Sequence, residues 1–235
     1  MILVVRPATL AGPQARQTTV TLSGVRRTAL LVVALSCLLA LAGGQAQAGG
    51  PPPVAAPRTG AAPWPAPKDP IRLARLAGLV PELFEHLAYH VHSHLDVFVN
   101  GKHVTVPAGI GINIHDPGVH HGPLPDGSTA YGGIQRCGKP CISPLHTHAD
   151  LGLIHTETTS PRPNSLGEFF VEWGVRLDPT CVGGYCKPDS ILVYVNGKLF
   201  TGDPRTIMLA NHTEIAIVIG SLPRTIPKVF PNVPL

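Results

Sequence analysis

The segment YHVHSHLDVFVNG, residues 89–101, places a histidine at every second position before an apolar–polar alternation. Alternation is typical of a half-buried β-strand, whose side chains point to opposite faces in turn. His90, His92 and His94 therefore share one face of a predicted strand. Asn100–Gly101 then predicts a two-residue turn into a partner strand, KHVTV. The pattern constrains this part of the chain to a hairpin with an imidazole-bearing face.

A second group of histidines lies in HTHADLGLIH, residues 146–155. If Ala149–Gly152 forms a four-residue turn, His146 is paired with His155 across a hairpin. His148 then lies on the same face as both. A slip of one residue in this register would remove His155 from the face.

The two groups together predict a transition-metal site. Histidines at alternate strand positions are roughly 6–7 Å apart, so neighbouring rings can reach one ion. Imidazole suits zinc, copper, nickel or iron, whereas calcium and magnesium prefer oxygen ligands. The predicted ligands, for zinc or copper, are His90, His92, His94, His146, His148 and His155. The carboxylates predicted to complete the site or orient its rings are Asp96, Asp150 and Glu157.

Two interpretations without a metal stay open for these histidines. The rings could form a pH-responsive cluster, since imidazole titrates near pH ~6.5, or an inert polar face. The remaining histidines show no paired geometry. They are His86, which is expected on a preceding helix, and His103, His115, His120, His121 and His212.

Residues 1–48 have the features of a signal peptide. Arg26 and Arg27 precede an apolar run of about 15 residues, whereas a membrane span needs roughly 20. Residues 46–48, AQA, offer a small-residue cleavage site. We therefore expect a secreted or cell-envelope protein, outside the cytoplasm, with no stable membrane span after cleavage. A lipid anchor or an uncleaved anchor is a less favoured alternative.

The charge distribution argues against nucleic acid as a partner. The chain has a formal net charge of +4, with 18 basic and 14 acidic residues. Four of the basic residues and none of the acidic ones fall in residues 1–48, so the remainder is neutral. A neutral domain has no long-range attraction for phosphates. Nothing in the pattern identifies a protein partner.

Four cysteines follow the predicted signal peptide, in CGKPC and CVGGYC. An even number in an oxidising compartment favours two disulfides among Cys137, Cys141, Cys181 and Cys186, with all three connectivities open. A four-thiolate zinc site is the alternative. It is less favoured because structural zinc usually has two residues between paired cysteines.

The predicted organisation is a signal peptide (1–48), a Pro/Ala-rich linker (49–70) and a single domain (71–235). The linker has the composition of an extended tether, in which Trp64 is expected to be exposed. The hairpin signals predict an α+β fold. It consists mainly of antiparallel β-sheet, with two or three short helices.

Two segments of the domain are predicted to be helical. Residues 71–88 have helical spacing, and Pro81 either interrupts this helix or starts a second one. NSLGEFFVEWG has a capping box of Ser165 and Glu168, and Gly174 suits its end. Further strands are predicted in ILVYVNGKLF, which forms a hairpin, and in RTIML and TEIAIVIG.

Five motifs together resemble an uncharacterised family of exported, His-rich bacterial proteins. They are HVHSHLDVFVNG, VPAGIGI, CISPLHTH, LGEFFVEWGV and GDPRTI, and they span most of residues 88–220. The resemblance implies that the HxHxH and HTH segments are the family signature, and it implies no activity. In that family an acidic residue often follows HTH directly. Here Ala149 stands at that position, with Asp150 one residue later.

These features favour an extracytoplasmic transition-metal-binding protein that handles or senses zinc or copper. One alternative is a metalloenzyme, which requires an open coordination position facing a cleft that also holds a base. Another is a disulfide-stabilised secreted interaction module without metal. That alternative predicts histidine groups that are separated in space.

Overall fold

The computed structural model describes residues 56–232. The predicted signal peptide and residues 49–55 of the predicted linker lie outside this range. The described helices are α1 (Pro70–Leu76), α2 (Leu166–Trp173) and a 3-10 turn at Pro204–Thr206. No helix in this range has the length and apolar character needed to cross a membrane.

Twelve strands make up most of the remaining regular structure in this range. In chain order they are β1 (Tyr89–Val99), β2 (Lys102–Val104), β3 (His120–Pro123), β4 (Thr129–Gly132), β5 (Leu145–His146), β6 (Leu153–Thr158), β7 (Leu177–Asp178), β8 (Cys181–Val182), β9 (Tyr185–Cys186), β10 (Ile191–Val195), β11 (Lys198–Phe200) and β12 (Thr213–Ile219).

One large sheet positions the rest of the domain. Its strand order is β11-β10-β12-β1-β6-β5, and β2 also pairs with β1. The structure is mainly β-sheet with antiparallel hairpins and two short α-helices, consistent with the predicted α+β class. The pairing of β1 with β12 is parallel, however. This central pair was not predicted, because alternation along a strand does not reveal its partner.

The alternation of β1 gives the sheet an apolar face and a histidine face. Leu95 and Val97 are opposite Ile215 and Ile217 of β12, and all four are fully buried in the main core. The histidines of β1 alternate with these residues and lie on the other face. The turn after β1 forms as predicted, with positive φ at Asn100–Gly101.

Helix α2 covers the apolar face and forms as predicted. Ser165 and Glu168 make the reciprocal capping box, and Gly174 ends the helix with a φ of 69°. Its core side chains, all buried, are Leu166, Phe169, Phe170 and Trp173. These apolar side chains, three of them aromatic, contribute the contacts that hold the helix against the sheet.

Trp64 is part of this core, so the expectation that it is exposed is wrong. Its side chain is 2% exposed, and its ring lies edge-on to Trp173 at a centroid distance of 5.7 Å. The Trp173 indole N–H donates to the Trp64 carbonyl at 3.2 Å. Proline-rich composition predicts an extended backbone, but it does not prevent one large aromatic side chain from being buried.

Helix α1 ends at Leu76, so residues 81–88 form no helix and His86 does not lie on one. The backbone of Glu82 pairs with a distant segment instead. Its N–H donates to the Ile142 carbonyl at 2.7 Å, and its carbonyl accepts from the Cys141 N–H at 2.8 Å. Tertiary backbone pairing therefore overrides the helical spacing here.

Two further expectations differ from the structure. RTIML is not a strand: a 3-10 turn occupies Pro204–Thr206, and Asp203 caps it by accepting from the Arg205 N–H. The stretch 108–136, in which no strand was predicted, contains the β3–β4 hairpin. Both differences arise in segments rich in turn-forming residues, where periodicity is weak.

The four cysteines in the described residues form two disulfides, Cys137–Cys141 and Cys181–Cys186. Each bond closes a short loop within its own motif. The four sulfur atoms are therefore bonded in pairs, which excludes the four-thiolate zinc alternative in this state of the protein.

Replacing Trp64 with Ala is expected to lower the free energy of unfolding by about 3–5 kcal/mol, because it opens a large cavity beside Trp173. Urea denaturation under non-reducing conditions measures this change. The control is Lys68→Ala, at an exposed position four residues later, with an expected change within about 0.5 kcal/mol. Equal, small effects of both substitutions would mean that Trp64 contributes no core packing.

Candidate metal centre

Three histidines form a row across three neighbouring strands. His92 of β1 is directly opposite His155 of β6, and His155 is directly opposite His146 of β5. The predicted pairing of His146 with His155 is thus confirmed. Cross-strand partners have Cβ atoms about 4.5–5.5 Å apart, so the rings meet. The ring centroids of His92 and His155 are 4.4 Å apart.

The carboxylate of Glu157 lies at the centre of the cluster. Glu157 is opposite His90 in the β1–β6 register. Its Oε1 atom is 3.0 Å from His90 Nε2, 3.2 Å from His155 Nδ1, 3.8 Å from His146 Nε2 and 3.9 Å from His148 Nε2. Its Oε2 atom is buried and has no hydrogen-bond partner among the described residues. One oxygen is thus crowded by imidazoles and the other is unsatisfied.

Backbone carbonyls orient two of the rings. His146 Nδ1 donates to the Ser143 carbonyl at 2.8 Å, and His148 Nδ1 donates to the Tyr131 carbonyl. A neutral imidazole has one N–H, so these bonds leave the Nε2 lone pairs of both rings free. The two Nε2 atoms are 3.0 Å apart. Two lone pairs at this distance repel each other unless a proton or a cation lies beside them.

The 3.0 Å between the Nε2 atoms of His146 and His148 and the 3.2 Å between His155 Nδ1 and Glu157 Oε1 fit coordination of one ion. The distances of 3.8 and 3.9 Å from Glu157 Oε1 to His146 and His148 would have to shorten around it. Metal–nitrogen bonds of about 2.0–2.1 Å place two ligands roughly 2.9–3.4 Å apart, from a right angle to a tetrahedral angle. Ligand atoms of His146, His148, His155 and Glu157 all lie within 4.8 Å of one another, and so do those of His90, His92 and His155. His155 belongs to both groups, so they adjoin. The cluster can hold one metal ion, or two neighbouring ions.

His94 is the predicted ligand that the structure does not bring into this cluster. Its Nδ1 is 2.9 Å from Glu214 Oε2, and its Nε2 is 2.8 Å from the Leu151 carbonyl. Because both ring nitrogens face acceptors, a charged imidazolium satisfies them. Burial alone would lower the pKa of His94, but Glu214 and Asp96 outweigh it and raise that pKa.

A separate group is formed by His94, Asp96 and Glu214, whose ligand atoms are also within 4.8 Å of one another. Sequence analysis missed Glu214, which lies on β12. Only the parallel register of β1 and β12 places Glu214 opposite His94. No local pattern indicates that pairing. The third predicted carboxylate, Asp150, lies apart and accepts from the Ala108 N–H.

The six other histidines do not join the cluster. His86 is 2.5 Å from Glu82, and His103 is 3.0 Å from Asp96. His212 packs against Phe230. The remaining three, all exposed, are His115, His120 and His121.

The environment keeps most of the clustered rings neutral, which is the form that binds metal. Burial, followed by repulsion from nearby rings, lowers the pKa of His92 to about 4. Burial lowers the pKa of His155 to about 4 as well, and that of His146 well below its ordinary value. For His148 the effect of burial is outweighed by Glu157 and the Tyr131 carbonyl, which raise its pKa. Among the rings whose pKa is shifted, His148 is therefore the one whose protonated form the surroundings favour.

A cleft of about 350 Å³ opens onto the cluster. Its polar side chains are those of Glu85, His90, His148, His155 and Glu157. Its apolar wall consists of Leu87, Leu124, Ala130, Tyr131, Ala149, Leu151 and Leu153. The β3–β4 hairpin supplies part of this wall. A small molecule in the cleft would therefore contact both the cluster and an apolar surface.

Glu85 is a further candidate residue that the sequence analysis missed. It lines the cleft, and burial raises the pKa of its carboxyl, which nearby His148 partly counteracts. In the sequence Glu85 is one polar residue of a helical pattern. No signal there indicates that it approaches the histidines.

Glu172 on α2 is a further buried carboxyl, next to Ser143. Both of its carboxyl oxygens lack a hydrogen-bond partner among the described residues. Burial raises the pKa of Glu172 well above its ordinary value, and the neighbouring Ser143 hydroxyl counteracts this only in part. Ser143 is the residue whose carbonyl orients His146. Burial thus favours the neutral form of the Glu172 carboxyl.

Comparison with known proteins identifies no relative. No family model, curated protein or solved structure matches the chain. Family membership based on the five motifs stays a prediction. The function must therefore be inferred from the chemistry of the cluster and its surroundings.

Replacing Glu172 with Gln is expected to stabilise the protein increasingly as pH rises from 5 to 7. Because the Glu172 carboxyl has a higher pKa in the folded than in the unfolded protein, the wild-type protein loses stability as pH rises from the unfolded-state pKa toward the folded-state pKa. Gln does not titrate, so the variant does not lose this stability. The difference in unfolding free energy should grow by up to about 1.4 kcal/mol per pH unit. Urea denaturation at each pH measures it.

The control for this experiment is Asp189→Asn, which removes an exposed carboxyl. It should show no comparable pH trend. A Glu172→Gln difference that stays constant across the same pH range would contradict a neutral buried carboxyl.

Proposed function

We propose that the protein is an extracytoplasmic transition-metal-binding protein for zinc or copper. Its primary ligands are His146, His148, His155 and Glu157, and His90 and His92 adjoin them. The supporting observation is the convergence of two ring nitrogens, 3.0 Å apart, beside a buried carboxylate. A bound cation resolves this arrangement by turning mutual repulsion into shared coordination.

The burial of the cluster supports a bound ion on energetic grounds. A buried charge without full pairing costs several kcal/mol in a protein interior. Glu157 is 5% exposed, and its Oε2 atom has no partner within residues 56–232. Burial lowers the pKa values of His92, His146 and His155, so these three rings provide little opposite charge. A divalent ion supplies the missing positive charge.

The carbonyl contacts of the rings also support ligand function. A metal-binding histidine usually donates its second ring N–H to a carbonyl or carboxylate, which fixes the tautomer. His146 and His148 each make such a contact, to Ser143 and Tyr131 respectively. Both nitrogens that remain face the cluster. The rings are thus oriented for ligation before any ion arrives.

The proposed location follows from the cysteines together with the predicted signal peptide. Disulfides persist mainly in oxidising compartments, and the four described cysteines form two of them. The interaction-module alternative has less support, because it predicts separated histidines and five of the six converge.

A metalloenzyme is a second candidate, favoured by the cleft. Catalysis at a metal requires an open coordination position and a nearby acid or base. The cleft reaches the cluster, and Glu85 lines it. A carboxyl with a raised pKa is suited to exchange a proton near neutral pH.

The purified protein is expected to bind zinc or Cu²⁺ tightly, and His148→Ala should weaken binding at least about 100-fold. Loss of a residue that only hydrogen-bonds to a metal ligand already lowers metal affinity by about 10–100-fold. Loss of a ligand itself should lower the affinity at least as much. Metal analysis after dialysis and competition with a chelator measure content and affinity. At 100 times the Kd, the ion should add about 2.7 kcal/mol of stability.

The matched control is His115→Ala, an exposed histidine outside the cluster, which should retain full metal content. Circular dichroism establishes that both variants are folded. Equal metal content in His148→Ala and His115→Ala would refute the assigned ligands.

If the protein is an enzyme, Glu85→Gln should lower metal-dependent hydrolysis of 4-nitrophenyl acetate by about 10²–10⁴-fold, because the variant loses a general acid–base. Metal content should stay unchanged, which separates this effect from a loss of ligation. Activity that is equal in the zinc-loaded wild type, Glu85→Gln and His148→Ala proteins would eliminate the enzymatic candidate.

A further inference from the structure

We propose that the cleft beside the cluster binds a small monocarboxylate with an apolar body, whose carboxylate completes the coordination of the metal ion. This inference rests on the proposed metal site and names the class of ligand that the site takes.

The composition of the cleft lining supports a ligand with one polar and one apolar part. The cluster residues His148, His155 and Glu157 contribute polar groups to the lining. Leu87, Leu124 and Leu151 line the same cleft with apolar side chains. A volume of about 350 Å³ falls within the range of small-molecule sites, roughly 300–1,000 Å³. A polar head therefore reaches the ion while a short apolar body fills the remainder.

Exposed apolar surface around the cleft supports the same conclusion. Leu87 at its wall is 61% exposed, and Leu124, Tyr131 and Leu151 are each partly exposed. Apolar side chains gathered at one concave site remain in contact with water unless a ligand covers them. A ligand with an apolar body gains this burial energy, whereas a purely polar ligand does not.

Charge balance selects a monoanionic head. A divalent ion bound by neutral imidazoles and the Glu157 carboxylate has one residual positive charge. A monocarboxylate neutralises it, and neutralisation favours burial of the whole assembly.

The test uses the Co²⁺-loaded protein, titrated with 4-phenylbutyrate and with acetate. Both carboxylates should change the visible Co²⁺ spectrum, because both ligate the ion. 4-Phenylbutyrate should bind at least about tenfold more tightly, since burial of its phenyl ring is worth more than 1.4 kcal/mol. Equal affinities of the two compounds would overturn the proposed apolar subsite.

Two variants of β4 localise the binding. Ala130→Trp fills the cleft and should weaken 4-phenylbutyrate at least about tenfold while acetate affinity changes less. Thr129→Trp is the control, because Thr129 is exposed and does not line the cleft. Unchanged 4-phenylbutyrate affinity in Ala130→Trp would overturn the assignment of the site.

Metal content is measured first, so that the two proposals fail separately. A protein that takes up no stoichiometric Co²⁺ or zinc overturns the metal site and the ligand with it. A fully loaded protein whose spectrum is unaffected by either carboxylate overturns only the ligand proposal. Tighter binding of 4-phenylbutyrate that Ala130→Trp abolishes supports both.

Discussion

The central constraint on the structure is that imidazole lone pairs face one another around a buried carboxylate. The Nε2 atoms of His146 and His148 are 3.0 Å apart, and each ring is already committed to a carbonyl through Nδ1. Rotation to relieve the repulsion would break those bonds and leave buried groups unpaired. A proton on either Nε2 atom relieves it, and the surroundings favour that proton on His148. A metal ion therefore competes with a proton for the same place, which couples ion binding to proton release.

The sheet brings the imidazole rings together because strand pairing, rather than flexible loops, fixes the spacing between them. His92, His155 and His146 are in register across β1, β6 and β5. The turn that joins β5 to β6 is held close to β1 by Gly152, which has a φ of 70° and where a Cβ would lie 2.4 Å from the Leu95 carbonyl oxygen. Only glycine fits that conformation and that approach. The rigidity of the row thus depends on one turn as well as on strand pairing.

The sequence was sufficient wherever local periodicity and turn chemistry decide the outcome. Alternation identified the face of β1, and the ADLG turn identified the partner of His155. The missed features depend on contacts between distant segments. Glu214 reaches His94 only through a parallel pair that is separated by more than 100 residues. Trp64 is buried by edge-on packing against the distant Trp173 and Tyr185. Such contacts leave no periodic pattern in the sequence.

The donor set also restricts the oxidation state of the proposed ion. Soft thiolate and thioether ligands favour Cu(I), whereas imidazole together with carboxylate suits zinc or Cu(II). Sulfur ligands are missing from the cluster in the described range, because Cys137, Cys141, Cys181 and Cys186 are oxidised in disulfides and Met208 is half-exposed elsewhere. An oxidising compartment that maintains the disulfides also keeps copper divalent. The oxidising conditions that preserve the disulfides therefore also favour Cu(II), the copper ion that suits a site without sulfur ligands.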